Sequence, residues 1–568
     1  MVDRSIKSAS KIWHVMVLSA MIFFFAGKLN AGDPHSACYD QANDKIFWFV
    51  QASDIHIGAS GTRDSNNLNW LVTAARQAID PSFIMVTGDL TDSTNGNLLG
   101  WPDGPYQEEW DEYKSIVDIE GITQDNYYDI PGNHDAYNDR DFEYYLANSV
   151  QGRATGNTQV SFYKEFEFGK YHFLGVNTAG NTGEGFSLFP PFGDPAGLDE
   201  DELSFIGEAL DYNPADAPLL TLAFGHHPLF PTDSPLDTYV YYGLGKFLGL
   251  MNQSYSSLYG YGHTHGSEEA FFIPDNSDHD GFYYFNVNSL GKSSNSQYTI
   301  MAVDCNGISS KINAVGRWPA VLITAPLDVN LGGFNPYAYP VPVAASNPIR
   351  ALVFDPDPDG VHSVKYRIDG SSPWVEMTRV PENPRLWSAS WDTTSLNSGR
   401  HTLEVSASTN SGTGSDSITV GVGHNLEPPK IGAAVREIGS YLAIGRDENI
   451  IFNPVFFQPG DDIVIRLMVE DEGGTPISNA VIQIGISGPE AQFLTSAPSD
   501  SEGMTEVIWL TSPPGRQGQE GTASGIYSVS IASVTASGYL WDGESPIAQF
   551  ELAGSDKRFT IWRRLGAR

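Results

Sequence analysis

Five short stretches of this chain place residues that can bind a metal or move a proton directly after an apolar run. They are Ser53-Asp54-Ile55-His56, Gly88-Asp89-Leu90-Thr91-Asp92, Pro131-Gly132-Asn133-His134-Asp135, Gly225-His226-His227-Pro228 and Gly262-His263-Thr264-His265. A turn would account for Gly132 and Asn133, but not for the imidazole and carboxylate that follow them. Carboxylates, imidazoles and an amide oxygen together form a donor set suited to Mn, Fe or Zn, whereas a soft-metal site would call for cysteines. A lone histidine after a strand is more often a core or capping residue. Five such stretches in one chain are poorly explained that way. The glycines beside them let the backbone turn sharply and approach closely.

The elements that must position these side chains are legible in the pattern. The five stretches follow the runs Phe47–Val50, Phe83–Val86, Tyr127–Ile130, Leu219–Phe224 and Leu258–Tyr261. Leu68, Leu71, Val72, Ala75 and Ile79 recur at helical spacing, a second helix is expected near Leu198–Leu210, and Tyr171–Val176 reads as another strand. Short buried strands alternating with helices predict a layered α/β domain over residues 40–316, with its site outside the carboxyl ends of the strands. After Arg317 the helical period fades and alternating strands take over. Residues 317–424 read as a β-sandwich, residues 425–555 as a second all-β domain, and 556–568 as a basic tail. At 568 residues, several domains are expected.

The order of the five stretches resembles the calcineurin-like metallophosphoesterase superfamily across about residues 46–300. Gly88–Asp92, Gln107-Glu108-Glu109-Trp110 and Asp129–Asp135 are most similar to its transmembrane protein 62-like branch, in which an Ig-like segment also follows the catalytic domain. Residues Gln458–Leu552 loosely resemble Ig-like modules of secreted bacterial proteins. The resemblance implies a four-layer αββα catalytic domain followed by two Ig-like sandwiches. It implies two divalent or trivalent metal ions: Asp54, His56, Asp89 and His265 on one, Asp89, Asn133, His226 and His263 on the other, with Asp89 shared. His226 is taken over His227 because the family pattern is H-x-P. The implied reaction is hydrolysis of phosphomonoesters or phosphodiesters by a metal-bridging hydroxide. His134 would assist the leaving group, oriented by Asp92 or, alternatively, Asp135. Two aromatic segments, 101–113 and 183–197, could line a substrate cleft or simply pack on the domain, and Arg63 and Arg140 lie near the stretches.

The formal net charge of −37 repels nucleic-acid backbones, so no long nucleic acid is expected as a partner. Small or lipid-derived phosphates fit better. Arg4, Lys7 and Lys11 precede an apolar run from Ile12 to Gly27, and Ala31 is a plausible cleavage point. This predicts a signal peptide over residues 1–31 and an exported protein, periplasmic, secreted or at the cell surface. The alternative is an uncleaved N-terminal anchor, although the run is shorter than the roughly 20 residues of a spanning helix. Cys38 and Cys305 could pair after export, or remain separate thiols. The β domains suit contact with a cell surface or carbohydrate. A second class of function, a binding protein using the fold as a non-catalytic scaffold, stays open at this point.

Overall fold

The structure is a computed structural model. It describes residues 39 and 42–553, except for 60, 95–103, 181–195, 214–215, 231–237, 255, 273–280, 332–334, 336, 371–372, 424–429, 444–448, 453–456, 472–473, 514–520 and 537–538. Residues 1–31, Cys38, Trp101, most of the segment 183–197 and the basic tail lie outside the described residues. The chain divides into two compact units. One runs to Val329 and resumes over Pro336–His424; the other comprises Asn330–Asn335 and Asn425 onward.

In the first unit, eleven strands build two sheets. They are β1 (Ile46–Ala52), β2 (Ile84–Thr87), β3 (Tyr127–Ile130), β4 (Val160–Phe166), β5 (Gly169–Gly175), β6 (Leu220–Phe224), β7 (Ser256–Tyr261), β8 (Glu268–Phe272), β9 (Phe282–Asn286), β10 (Gln297–Asp304) and β11 (Gly307–Ala314). One sheet has the order β11-β10-β1-β2-β3, the other β4-β5-β6-β7-β9-β8. The β1, β2 and β3 strands run parallel, as do β5, β6, β7 and β9, so their carboxyl ends fall on a common edge of each sheet. Strand β1 shows how the period of two makes the layers. Phe47 and Phe49 meet Phe173 of the other sheet edge-on, at 6.4 and 5.5 Å between ring centres. Val50 and Ala52 instead join a core with the helices.

Helix α1 starts at Arg63–Trp70 and passes through a π-helical stretch, Leu71–Ala75, into Arg76–Ile79. Its Leu68, Leu71, Val72, Ala75 and Ile79 are all buried, as the spacing predicts. Helices α2 (Gln107–Val117), α3 (Glu143–Asn148) and α4 (Val150–Thr155) share that core. Trp110 and Tyr113 are fully buried in it, so this part of the aromatic segment packs the domain and does not line a cleft. The Asp129 carboxylate of β3 accepts the Val150 and Gln151 N–H groups at 2.9 and 2.8 Å, satisfying orphan donors at the start of α4. Helices α5 (Glu200–Ala209) and α6 (Leu244–Gln253) cover the second sheet, and Asp199 with Glu202 closes a capping box on α5. The layers are therefore αββα.

The sandwich that follows has two four-stranded sheets. It packs into the same unit as the α/β layers. Ala320, Leu322, Leu352, Phe354, Val380 and Leu386 belong to the core that contains α1 and β1. Buried Arg350 meets Asp304 of β10 at 2.7 Å. The second unit is another sandwich of two sheets around Ile463, Leu467, Ile482, Trp509 and Tyr527. Among the described residues, no helix is long and apolar enough to cross a membrane.

Candidate metal centre

Asp54 and His56 leave β1, Asp89 leaves β2, and Asn133 and His134 leave β3. From the facing sheet, His226 leaves β6, and His263 and His265 leave β7. The structure brings all of these side chains together at the common strand-end edge. The backbone there is unusual. Asp54, His56, Asp89, His263 and His265 all have φ between 51° and 66°, a region that L-residues rarely occupy and that concentrates at functional sites. Gly132 is required for a steric reason: a Cβ would overlap the Asp89 carboxylate and backbone nitrogen. Gly88, at φ 93°, faces the His226 ring equally closely.

Two clusters meet at one carboxylate oxygen. In the first, His56 Nε2 lies 3.1 Å from His265 Nε2, and His265 Nε2 lies 3.2 Å from Asp54 Oδ1. In the second, Asn133 Oδ1 lies 3.1 Å from His226 Nε2 and 3.0 Å from His263 Nδ1. Asp89 Oδ2 stands between them, 3.4 Å from His56 Nε2 and 3.3 Å from His226 Nε2. Donors held about 2.1 Å from one cation stand about 3.0 Å apart in an octahedron and about 3.4 Å apart in a tetrahedron. The spacings found here are those of ligands around a shared ion, and the Asp and His clusters fit a dinuclear metal site.

The atoms behind the ligands fix which nitrogen faces the centre. His226 donates Nδ1–H to the Thr87 carbonyl at 2.8 Å, which turns its Nε2 inward. His56 Nδ1 is 3.0 Å from Asp92 Oδ1, and the same logic turns its Nε2 inward. Asn133 donates its amide N–H to the Tyr137 hydroxyl at 2.7 Å, which directs Oδ1 to the centre. His263 Nε2 lies 3.0 Å from Thr238 Oγ1. His227, the alternative to His226, is tied to Thr178 Oγ1 at 3.0 Å beside the cluster.

Asp92, the partner expected for His134, meets it through its backbone and not through its carboxylate. The His134 Nδ1–H is held by the main-chain carbonyl of Asp92 at 2.5 Å, while the Asp92 carboxylate stands 3.8 Å away and serves His56. Asp135, the alternative, is engaged elsewhere. Its carboxylate accepts the N–H groups of Leu90, Thr91 and Gly132 at 2.9–3.0 Å, bracing two ligand loops against each other. Tyr137, Thr87, Thr178 and Lys292 also belong to the site, and sequence reasoning missed them. Lys292 follows β9 as the other stretches follow their strands, so the strand-end rule could have flagged it.

The charges are strongly coupled. Burial, with the neighbouring His134 charge, pushes the His56 imidazole down to about 3, and burial with the His226 charge does the same to His263. Both are neutral, the state that coordinates metal. Burial would depress His226 too, but the Asp89 carboxylate outweighs it and pushes the imidazole up to about 9. Burial opposes ionisation of Asp92, yet its hydrogen bond to His56 and the charges of His56, His134 and Lys292 hold it well below the usual carboxylate range.

Comparison with known proteins bears on the same region. A family model described as calcineurin-like phosphoesterase matches residues 47–267, and one described as bacterial Ig domain matches residues 340–405, in the first sandwich. The chain is 26% identical to Transmembrane protein 62 of Mus musculus over 381 residues, 66% of this chain and 54% of that protein. It is 30% identical over 200 residues to an Arabidopsis thaliana protein described as a metallophosphoesterase, covering 32% of this chain and 25% of that one. The chain thus spans about half the length of the first relative and a quarter of the second. Among solved structures, a dimetal phosphatase from Danio rerio matches 48% of this chain and 97% of its own, at 14% identity and a TM-score of 0.37. A purple acid phosphatase from yellow lupin seeds covers 48% of this chain and 52% of its own, at 10% identity and a TM-score of 0.33. Residues 47–267, which carry nearly the whole of the strand-end cluster, are similar to the calcineurin-like phosphoesterase family.

Proposed function

We propose that this chain is a metal-dependent phosphoesterase whose two cations sit on either side of Asp89. Asp54, His56 and His265 would hold one, and Asn133, His226 and His263 the other. The observation that carries the reading is the position of Asp89 Oδ2, within 3.4 Å of His56 Nε2 and 3.3 Å of His226 Nε2. The donor set suits Mn, Fe or Zn. When bound, such a pair supplies Lewis acidity to a phosphate and an acidified water as nucleophile.

His134 is the proposed acid. The Asp92 carbonyl holds the Nδ1–H, so Nε2, 4.0 Å from Asp89 Oδ2 and at the open side of the site, is the nitrogen that would take up the second proton of the imidazolium and pass it to the leaving oxygen. The proposed substrates are small or lipid-derived phosphoesters, because the acidic surface disfavours long polyanions. Hydrolysis of a chromogenic phosphomonoester and its diester analogue, with added Mn, tests the activity. The reading predicts turnover that Asp89→Ala abolishes. Equal rates in the two proteins, or no turnover of either ester by the Mn-loaded parent, would overturn it.

Export is the second part of the proposal. It is supported by the basic-then-apolar N-terminal pattern and by the disulfide at Cys305. Cell fractionation with thiol labelling checks it, and a cytoplasmic protein with a reduced Cys305 would contradict it.

A further inference from the structure

Lys292 sits in the turn after β9, and that turn is fastened to the metal-ligand loop. Ser289 Oγ accepts the Lys292 N–H at 2.9 Å and donates to the Asp54 carbonyl at 2.8 Å. The Gly291 N–H bonds the same carbonyl at 3.2 Å. The Lys292 ammonium reaches Asp92 Oδ1 at 3.0 Å, the oxygen that also faces His56 Nδ1. Asp54, His56, Asp89 and Asp92 are closed to solvent, whereas the side chains of His134, His265 and Lys292 are 14%, 32% and 37% exposed. These three form the open rim. The Lys292 charge is felt by His56, His134 and His265.

A phosphodiester has two free oxygens and one negative charge. The two cations that the residues around Asp89 would hold would supply Lewis acidity to both oxygens. A phosphomonoester has a third free oxygen and a second charge, and these need a further donor. His134, as the proposed acid, would serve the ester oxygen. An ammonium has three N–H donors, of which Asp92 engages one. Held in place by Asp92, it is a preorganised cation at the rim.

We propose that Lys292 is the specificity-determining residue of this site. It binds the third free oxygen of a terminal phosphate, so that monoesters are preferred over diesters. This rests on the phosphoesterase reading above and names its substrate class.

The test uses the full chain loaded with Mn, and the variants Lys292→Met and Lys292→Arg. Three quantities are read: metal content, kcat/KM on a matched monoester and diester, and the Kd for inorganic phosphate. The parent prefers the monoester. Lys292→Met lowers monoester kcat/KM and weakens phosphate binding by about tenfold or more, the loss expected for a charged hydrogen bond, with a much smaller loss on the diester. Two metals per chain are retained, and Lys292→Arg recovers most of the loss. A parent that prefers diesters, an equal fall on both esters, or loss of metal in Lys292→Met would overturn the assignment. The last would make Lys292 a brace for Asp92. A parent that hydrolyses neither ester defeats the phosphoesterase reading instead, and the phosphate Kd then judges Lys292 by itself: an unchanged value rejects it.

Discussion

The Asp92 carboxylate lies 3.0 Å from His56 Nδ1, while the Asp92 carbonyl lies 2.5 Å from His134 Nδ1. One residue thus orients a proposed metal ligand with its side chain and the proposed acid with its backbone. These two jobs separate under mutation.

Asp92→Asn keeps the backbone carbonyl and removes the charge behind His56. Metal affinity should fall about 10–100-fold, as for other partners of ligating histidines. Equilibrium dialysis against Mn reads this. Full metal affinity with a collapsed kcat would mean that the carboxylate serves His134 after all.

Gly132→Ala places a methyl group where the Asp89 carboxylate and backbone nitrogen already stand. Neither atom can yield without moving the oxygen shared by both clusters. The variant should retain the far-UV spectrum of the parent but bind less than one metal per chain by elemental analysis. Two tightly bound metals would show that the β3 turn is slacker than the structure has it.

Without metal, His226 is protonated up to about pH 9 because Asp89 stabilises the charged imidazole more than burial disfavours it. A raised pKa means that protons compete with the cation below that value. Apparent metal affinity should therefore climb with pH until about 9, with proton release on binding. Titration calorimetry in two buffers of different ionisation enthalpy measures the protons. Zero release at pH 7 would contradict the charge balance described for Asp89 and His226.

The first sandwich is part of the compact unit that carries the strand-end cluster. A chain ending at residue 316 would strip Leu322, Leu352, Phe354 and Leu386 from the core that holds α1 and β1, and leave Asp304 without Arg350. Each large apolar side chain is worth about 1.5–3 kcal/mol, against a total stability of about 5–15 kcal/mol. That truncation should be insoluble or unfolded, whereas a chain ending at His424 should melt cooperatively. A stable, active chain ending at 316 would refute the shared core.

The strand-end histidines and carboxylates were legible because the chemistry sits where short apolar runs stop, and a period of two or 3.6 shows where runs stop. A layered α/β domain followed from the same alternation, whereas its four-layer αββα order came from the family resemblance. Which atom of Asp92 meets His134 was not legible, since spacing along the chain does not distinguish a carboxylate from the carbonyl of the same residue. Trp110 and Tyr113 read equally as cleft or core, and burial alone decides for core. The sharing of a core between the sandwich and the α/β layers was hidden for a related reason. It depends on pairs such as Asp304 and Arg350, 46 residues apart, which no local pattern announces.

The most direct test of the central claim is anomalous diffraction from crystals of the Mn-loaded protein. Two anomalous peaks are expected about 3.5–4 Å apart with an Asp89 oxygen between them, one beside His56 and His265 and the other beside Asn133, His226 and His263. A single peak, or a pair that does not share Asp89, would contradict it.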